Sequence, residues 1–292
     1  MFHGSIVALV TPMDESGVID IEALRQLVEW QIEQKTDGIV ISGSTGESAT
    51  LDYTERKNIL QIAIDQAKGR IPIIAGTGTS ATAFTIELTK TAMELGADAC
   101  LLVTPYYNKP TQEGLYQHFK AVAEAVSIPQ ILYNVPARTG CDLQPTTVAR
   151  LAALPNIIAI KEATGDLTRV QKILRLTQAH ELDLFSGDDS SCLDFILLGG
   201  RGVISVTANV APKAMHDLCQ AALSRDIISA VAINDRLTNL HLKMCIESNP
   251  IPVKWALQQM NKIPTGIRLP LMPLSADYHA SVRAAMIEAG VS

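Results

Sequence analysis

The sequence predicts a (β/α)8 barrel, an α/β fold, with a helical region following it. Three observations support this prediction: eight short apolar runs, helical periodicity in most gaps between them, and no strand signal after Asn209. Eight β/α units within about 210 residues are typical of a closed barrel. An open, doubly wound sheet is the alternative, although such sheets more usually stop at five or six strands.

The eight apolar runs are continuous stretches and do not alternate with polar residues. Continuous runs are typical of parallel strands that are covered on both faces of the sheet. In chain order the runs are residues 6–12, 38–47, 71–78, 99–107, 129–136, 157–164, 182–189 and 202–209.

The gaps between the runs favour helices. Apolar residues recur three and four positions apart over 21–32, directly after Asp20, and again over 115–126. Aspartate is a preferred N-cap, so a helix is predicted to begin after Asp20.

Beyond Asn209 the pattern is helical only. A long helix is predicted over 233–244, ending before Pro250, and a last one at 279–289. We therefore expect residues 1–225 to form the barrel that carries the active site, and 226–292 to form a C-terminal helical region.

Composition excludes several classes of function. The net charge of −6, with no basic block, argues against a nucleic-acid partner. The five cysteines are scattered and include no C-x-x-C pair, which favours reduced thiols over disulfides or a zinc site. No apolar run approaches ~20 residues, and the N-terminal segment lacks the features of a signal peptide. We expect a cytoplasmic protein with no membrane partner.

Polar residues stand where the predicted strands end, which is where barrels of this type build their active sites. Hydroxyls, tyrosines and one lysine, Lys161, would converge on this rim. Few histidines join them, and no carboxylate–histidine cluster has the spacing of a metal site. We therefore expect neither a metal nor another cofactor.

Lys161 ends the apolar run Ile157–Ile160 in the sixth predicted strand. Desolvation would lower the pKa of its ammonium group, and the neutral amine can attack a carbonyl to form an imine. Once protonated, that imine allows a neighbouring methyl group to lose a proton and become an enamine nucleophile. The alternative is an ion pair with Glu162 or Asp188, which is common at such rims. The position of the lysine alone leaves both open.

Tyr133 ends the preceding strand, so its phenol should lie within reach of Lys161. A phenol can give and take back a proton during imine formation, but its high pKa calls for a relay. The hydroxyls of Ser44, Thr45 and Tyr107 could supply one. Each tyrosine alone is more simply a rim aromatic with its hydroxyl in water; their common strand-end placement favours chemistry.

The segment GSTGE, residues 43–47, offers backbone N–H groups and two hydroxyls to an anion such as a short carboxylate. It has neither the spacing nor the lysine of a P-loop. A tight strand-to-helix turn would explain it equally well. Arg138 follows Tyr133 by five residues, and its planar fork suits a second carboxylate at the rim.

With these residues together, the chain resembles the dihydrodipicolinate synthase and N-acetylneuraminate lyase family of pyruvate-dependent class I aldolases. The resemblance covers essentially the whole chain and rests on long segments, which makes it specific. These segments are GSIVALVTPM, GESATL, IPIIAGTG, LLVTPYYNKPTQEGLYQHF, QILYNVPARTGCDL, IKEATGDLTRV, SGDD and GVISVTANVAP.

The resemblance implies that pyruvate condenses with L-aspartate 4-semialdehyde through a lysine Schiff base, in the diaminopimelate and lysine pathway. Lys161 would form the Schiff base, and Tyr133 would be the central proton donor and acceptor. Ser44 would relay protons, and Thr45 would also hold the carboxylate of pyruvate.

The remaining roles also follow from the resemblance. Tyr107, with Tyr106 at the same interface, would complete the relay in a neighbouring subunit, because similar enzymes are homotetramers built from tight dimers. Arg138 would anchor the carboxylate of the aldehyde. Gly187 and Ile204 would touch the pyruvate adduct mainly through backbone groups.

The chain departs from the family at two places. Ser44 replaces the commoner threonine; the hydroxyl remains but the methyl that restricts its rotamer is lost, and we expect activity to be retained. Many bacterial members bind inhibitory lysine with a histidine, an asparagine and a glutamate, where this chain has Arg56, Ser80 and Phe84. Without that carboxylate we expect weak or absent inhibition; potent inhibition at micromolar lysine would contradict this.

Three other functions fit parts of the pattern. A lyase for N-acetylneuraminate or a keto-deoxy sugar acid would use the same lysine and tyrosine, but such members usually lack Arg138. A non-catalytic keto-acid sensor would be marked by loss of Lys161 or Tyr133, and both are present. A phosphosugar aldolase would need a phosphate-binding loop near the last two strands, where only GGRG (199–202) hints at one.

Overall fold

The protein is a closed barrel of eight parallel strands, which confirms the predicted fold and excludes the open sheet. The computed structural model describes residues 2–291. The strands pair in chain order, and β8 returns to β1. Their bounds are β1 Gly4–Ala8, β2 Gly38–Ile41, β3 Ile73–Gly76, β4 Ala99–Val103, β5 Gln130–Asn134, β6 Ile157–Glu162, β7 Asp183–Ser186 and β8 Gly202–Ser205.

Helices connect the strands and continue after the last of them. Through β8 they are α1 Ile21–Glu33, α2 Tyr53–Ala67, α3 Thr82–Leu95, α4 Gln112–Ala125, α5 Pro136–Thr139, α6 Pro145–Leu151, α7 Thr168–Leu176 and α8 Cys192–Leu197. Those that follow are α9 Pro212–Leu223, α10 Ile227–Lys243, α11 Ile251–Gln259 and α12 Ala276–Glu288, and short 3₁₀ helices span Ser48–Thr50 and Thr207–Asn209. No helix between residues 2 and 291 combines the length and apolar character that a membrane span needs.

Both faces of each strand are buried, which is why the sequence runs are continuous. In β1, Ile6 and Ala8 belong to a cluster formed by alternate residues of the strands, inside the barrel. Val7, between them, belongs to the larger core that also contains helix residues such as Leu24. Successive side chains of a strand point to opposite faces, so apolar residues are required at every position.

The predicted helix starts and periodicities agree with the structure. Asp20 caps α1, its carboxylate accepting the N–H of Ala23 at 2.9 Å. The pattern over 233–244 belongs to α10, which begins earlier, at Ile227, and the last predicted helix is α12.

The turn after β2 does not lead directly into an α-helix. Glu47 adopts a left-handed conformation, with φ 56°, before the 3₁₀ helix Ser48–Thr50. The α-helix α2 begins only at Tyr53, where Asp52 forms a capping box with Glu55. The N–H of Glu47 donates to the Ser44 carbonyl and that of Ser48 to the Gly43 carbonyl, so the turn itself uses these two donors.

The helices after β8 pack onto the barrel, and we propose residue 226 as the start of this region. Asp226 caps α10 by accepting the N–H of Ser229 at 3.2 Å. Leu237 of α10 and Trp255 of α11 belong to the same hydrophobic cluster as the outer barrel residues.

A buried ion pair joins this C-terminal region to the loop after β2. Lys254 of α11 donates to the Glu47 carboxylate, and both side chains are 1% exposed. The other Glu47 oxygen accepts the backbone N–H of Arg268 at 3.2 Å. Burial lowers the pKa of Lys254, while the charge of Glu47 opposes that shift.

Replacing Lys254 with methionine should destabilise the protein strongly, because Glu47 would keep a buried charge without its cationic partner. Removing one member of such a pair costs about 3–5 kcal/mol. The midpoint of thermal unfolding, followed by circular dichroism, measures the effect. The matched control is K213M, which breaks the exposed Lys213–Asp217 pair and should cost less than about 1 kcal/mol. Equal midpoints for the two variants would contradict the assignment.

Candidate active site

Lys161 lies near the C-terminal end of strand β6 and is buried inside the protein. Its residue exposure is only 5%. In the parallel ladder it pairs with Tyr133 of β5 on one side and with Phe185 of β7 on the other. Its Nζ atom lies 4.5 Å from the centroid of the Tyr133 ring. The predicted neighbourhood of these two side chains is confirmed.

The ion-pair alternative for Lys161 is wrong. Glu162 is held by the Nε of Arg169 at 3.0 Å and by the amide of Asn134, and it also accepts the N–H of Thr164. Asp188 accepts the hydroxyl and the N–H of Ser191. Within residues 2–291 Lys161 forms no ion pair.

The electrostatic environment favours the neutral amine of Lys161. Burial lowers its pKa from 10.5 to about 8, because desolvation disfavours the ammonium form. The charge of Asp189 opposes this shift and the charge of Arg138 adds to it. The neutral, nucleophilic amine is therefore much more abundant near neutral pH than it is for an ordinary lysine, although the ammonium form still predominates at pH 7.

Asp189 is held beside the site by the backbone of the neighbouring loop. Its Oδ2 atom accepts the N–H groups of Val206 and Thr207 at 3.0 and 2.9 Å. Thr207 in turn shares a 2.9 Å hydrogen bond with the Nδ1 of His241. The role of this carboxylate is not predicted from the sequence, although Asp189 is the last residue of the seventh run.

Tyr133 is buried beside Lys161, and the Ser44 hydroxyl is close enough to its phenol to affect the pKa of that group. Burial raises the pKa of Tyr133 above 10.0, while the charge of Arg138 and the hydrogen bond with Ser44 oppose that shift. The phenol therefore stays protonated at neutral pH and can act as a proton donor.

The loop after β2 presents Ser44 and Thr45 differently. Ser44 lines a cavity of about 330 Å³, together with Tyr106, Arg138 and Asn249. Thr45 is buried, and its hydroxyl accepts a hydrogen bond from the Asn249 amide at 2.9 Å. The Thr11 hydroxyl fixes the loop from the other side by donating to the Gly46 carbonyl at 2.7 Å.

Gly187 provides the space that the lysine chain needs. A Cβ atom added to it would lie 3.0 Å from Cε of Lys161 and 2.5 Å from Cβ of Ala163. Its N–H donates to the Glu162 carbonyl at 2.7 Å, which holds the end of β7 against β6. Ile204 of β8 is fully buried in the interior cluster.

Arg138 and Tyr107 lie outside the buried cluster of Lys161 and Tyr133. Arg138 lies in α5 and donates through Nη2 to the Asn249 carbonyl at 3.2 Å. Tyr107 has a left-handed backbone, with φ 76°, and is 92% exposed. Within this one chain it is therefore not gathered with Lys161, Tyr133 and Ser44.

Arg56, Ser80 and Phe84 occupy the positions at which many bacterial family members bind inhibitory lysine. Arg56 and Ser80 form hydrogen bonds within this chain, and Phe84 is partly exposed. Arg56 donates to the carbonyls of Ser48 and Leu51, and burial lowers its pKa. The Ser80 carbonyl accepts the side-chain amide of Asn108 at 2.9 Å, and Phe84 is partly exposed.

Asn249, Lys254 and Asp189 are residues near the site that were not predicted from the sequence. Asn249 and Lys254 contact residues about 200 positions earlier in the chain, and nothing in the local pattern around them marks a site. Both lie close to Pro250 and Pro252, and these prolines predict a helix break and not a site.

The chain is similar over its whole length to proteins of one family. The family model of the dihydrodipicolinate synthetase family matches residues 1–289. A 4-hydroxy-tetrahydrodipicolinate synthase of Methylococcus capsulatus is 60% identical over 291 residues, covering all of both chains. One from Coxiella burnetii is 57% identical over 291 residues, covering 100% of this chain and 99% of that one.

The fold is also similar to that of solved structures. The crystal structure of the chloride-inhibited dihydrodipicolinate synthase of Acinetobacter baumannii, complexed with pyruvate, has a TM-score of 0.98 and 53% sequence identity. The match covers 100% of each chain.

The reactivity of Lys161 should rise with pH up to about 8 and then level off. Only the unprotonated amine reacts, so the fraction available grows until the pH passes the pKa of the group. Reductive methylation with formaldehyde and cyanoborohydride, followed by mass spectrometry of the Lys161 peptide, measures this rate. A free peptide lysine, with a pKa of ~10.4, is the control and should keep rising well beyond that point. The same profile for both lysines would contradict a lowered pKa.

Proposed function

The chain belongs to the dihydrodipicolinate synthetase family, and we propose that it condenses pyruvate with L-aspartate 4-semialdehyde. The product is 4-hydroxy-tetrahydrodipicolinate, and the step belongs to diaminopimelate and lysine biosynthesis; the enzyme is a lyase that works through a Schiff base. The observation that carries the proposal is the buried Lys161 amine, which has a pKa of about 8 and lies 4.5 Å from the Tyr133 ring.

Lys161 begins the reaction by attacking the keto carbon of pyruvate. Loss of water gives an imine, and protonation of the imine nitrogen makes it an electron sink for the adjacent methyl carbon. Loss of a methyl proton gives an enamine, whose carbon attacks the aldehyde carbon of the second substrate. The amine of that substrate then displaces Lys161 from the imine carbon, which closes the ring and frees the enzyme.

Tyr133 moves the protons that these steps require. Its raised pKa keeps the phenol protonated, so it can donate to the departing hydroxyl and then recover a proton through Ser44. Ser44 stands where threonine is commoner in the family, and it retains the hydroxyl that this relay needs.

The two carboxylates of the substrates are held by different groups. Thr45 donates a hydrogen bond from its hydroxyl to the carboxylate of pyruvate, and backbone groups of Gly187 and Ile204 contact the adduct. Arg138 lines the 330 Å³ cavity and receives the carboxylate of the aldehyde in its planar fork.

A homotetramer built as a dimer of dimers is the proposed working form. The 92% exposure of Tyr107 supports it, because a side chain that projects from its own subunit is free to enter a neighbouring site. A cytoplasmic location agrees with the five cysteines, all of which are free thiols.

The first test is to trap the imine. Incubation with pyruvate and borohydride should add a reduced pyruvate group to the peptide that contains Lys161, detected by mass spectrometry. The Y133F variant should still form some adduct but turn over much more slowly, about 10²-fold or more, because the proton donor is lost. An adduct elsewhere, or none, would overturn the mechanism.

The same preparation distinguishes the neighbouring lyase function. A coupled assay should show consumption of L-aspartate 4-semialdehyde in the presence of pyruvate, and no cleavage of N-acetylneuraminate. R138A should raise the KM for the aldehyde more than the KM for pyruvate. Cleavage of the sugar acid at a comparable rate would contradict the substrate assignment.

Mixing of variants tests the placement of Tyr107. Co-expressed Y107F and K161M subunits should form hybrids that recover activity, because an intact Tyr107 from one subunit then serves an intact Lys161 in the other. Each variant alone should be weak or inactive, and separately purified proteins mixed without subunit exchange are the control. Hybrids without any gain would show that Tyr107 does not act across an interface.

A further inference from the structure

Asn249 connects the two groups assigned to the substrate carboxylates, although it lies outside the barrel. Its side-chain Nδ2 donates to Thr45 Oγ1 at 2.9 Å, and its backbone carbonyl accepts Arg138 Nη2 at 3.2 Å. It also lines the cavity that Ser44 and Arg138 line.

The direction of the hydrogen bond to Thr45 has a chemical consequence. A threonine hydroxyl has one proton to give and can accept hydrogen bonds at the same time. Because Asn249 is the donor in this contact, the Thr45 proton stays available for another acceptor. A carboxylate needs such a proton, so this arrangement prepares Thr45 to bind an anion.

The position of Asn249 is fixed from two sides. It lies two residues before α11, in which every residue from Ile251 to Leu257 is buried. Lys254 of the same helix forms the buried pair with Glu47, two residues beyond Thr45. The loop GSTGE is thus fastened to the C-terminal region at both Thr45 and Glu47.

The burial of the amide agrees with a positioning task. The Oδ1 atom of Asn249 is buried and has no hydrogen-bond partner within residues 2–291. An unpaired buried acceptor is costly, typically about 1–3 kcal/mol. Within the described residues the contact of Nδ2 with Thr45 is therefore the side-chain hydrogen bond that orients the amide.

We propose that Asn249 is a positioning residue that orients the Thr45 hydroxyl toward the carboxylate of pyruvate. This inference rests on the proposed function. It assigns to the C-terminal helical region a part in binding the first substrate, while the Arg138 contact uses the backbone of Asn249 and is independent of its side chain.

The test uses exchange of the pyruvate methyl protons for deuterium in D₂O, followed by NMR, because this half-reaction needs no aldehyde. N249A should raise the pyruvate concentration for half-maximal exchange about tenfold, with little change in the maximal rate. N249D is nearly isosteric, but its carboxylate can only accept hydrogen bonds. This variant should raise the half-maximal pyruvate concentration further, since the aspartate would accept the hydrogen bond of the Thr45 hydroxyl and its charge would repel the substrate carboxylate. The KM for the aldehyde in N249A should change less than twofold, because the backbone contact to Arg138 remains.

A double-mutant cycle separates this role from a structural one. In a T45V background, N249A should have no further effect on pyruvate binding, since the partner hydroxyl is already absent. The matched control is N239A, which removes an exposed hydrogen bond to Glu288 in the same region and should leave exchange unchanged. Thermal unfolding confirms that each variant is folded, and N249D replaces N249A if the alanine variant is not.

Two results would overturn the inference. One is a half-maximal pyruvate concentration in folded N249A and N249D equal to that of the unaltered protein. The other is an N249A effect of the same size with and without Thr45. If the unaltered protein shows no exchange at all, the proposed function itself fails, and that outcome is distinct from both.

Discussion

The site depends on one constraint: a buried lysine has to stay free of the carboxylates around it. Its neighbour in sequence, Glu162, is neutralised by Arg169, and Asp188 is occupied by Ser191. Asp189 is close enough to raise the pKa of Lys161 but is directed toward the N–H groups of Val206 and Thr207. Desolvation therefore outweighs charge attraction, and the pKa falls to about 8.

The barrel meets this constraint through register. Parallel strands pair Tyr133 with Lys161, and the closed sheet leaves no strand edge at which water could reach the lysine stem. The lysine chain also requires a neighbour with no side chain, because a Cβ at Gly187 would lie 3.0 Å from its Cε. Strand register and one glycine thus place the amine, and the contacts that hold Glu162, Asp188 and Asp189 keep it unpaired.

Much of this could be predicted from the sequence, since strand ends are local features. The eight runs, Asp20 as a cap, and the pairing of Tyr133 with Lys161 follow from periodicity and from the barrel rule. The contacts of Asn249 and Lys254 could not, because they join residues more than 200 positions apart and no periodic pattern encodes a single polar contact. The sequence also could not decide whether Lys161 forms an ion pair, since that depends on which residues the Glu162 carboxylate binds in the folded protein.

The C-terminal region acts on the site through geometry. A buried ion pair such as Glu47–Lys254 adds little net stability over a well-packed apolar pair, because desolvation offsets much of the attraction. The ion pair does define where the Glu47 side chain lies relative to α11. The backbone of Glu47 is left-handed, a conformation that costs about 1 kcal/mol or more for a residue with a side chain. An apolar contact is non-directional, whereas this pair joins Nζ of Lys254 to Oε1 of Glu47. Since Asn249 precedes that helix, fixing Lys254 also fixes the amide that meets Thr45, and the accuracy of the site at the barrel rim is set partly outside the barrel.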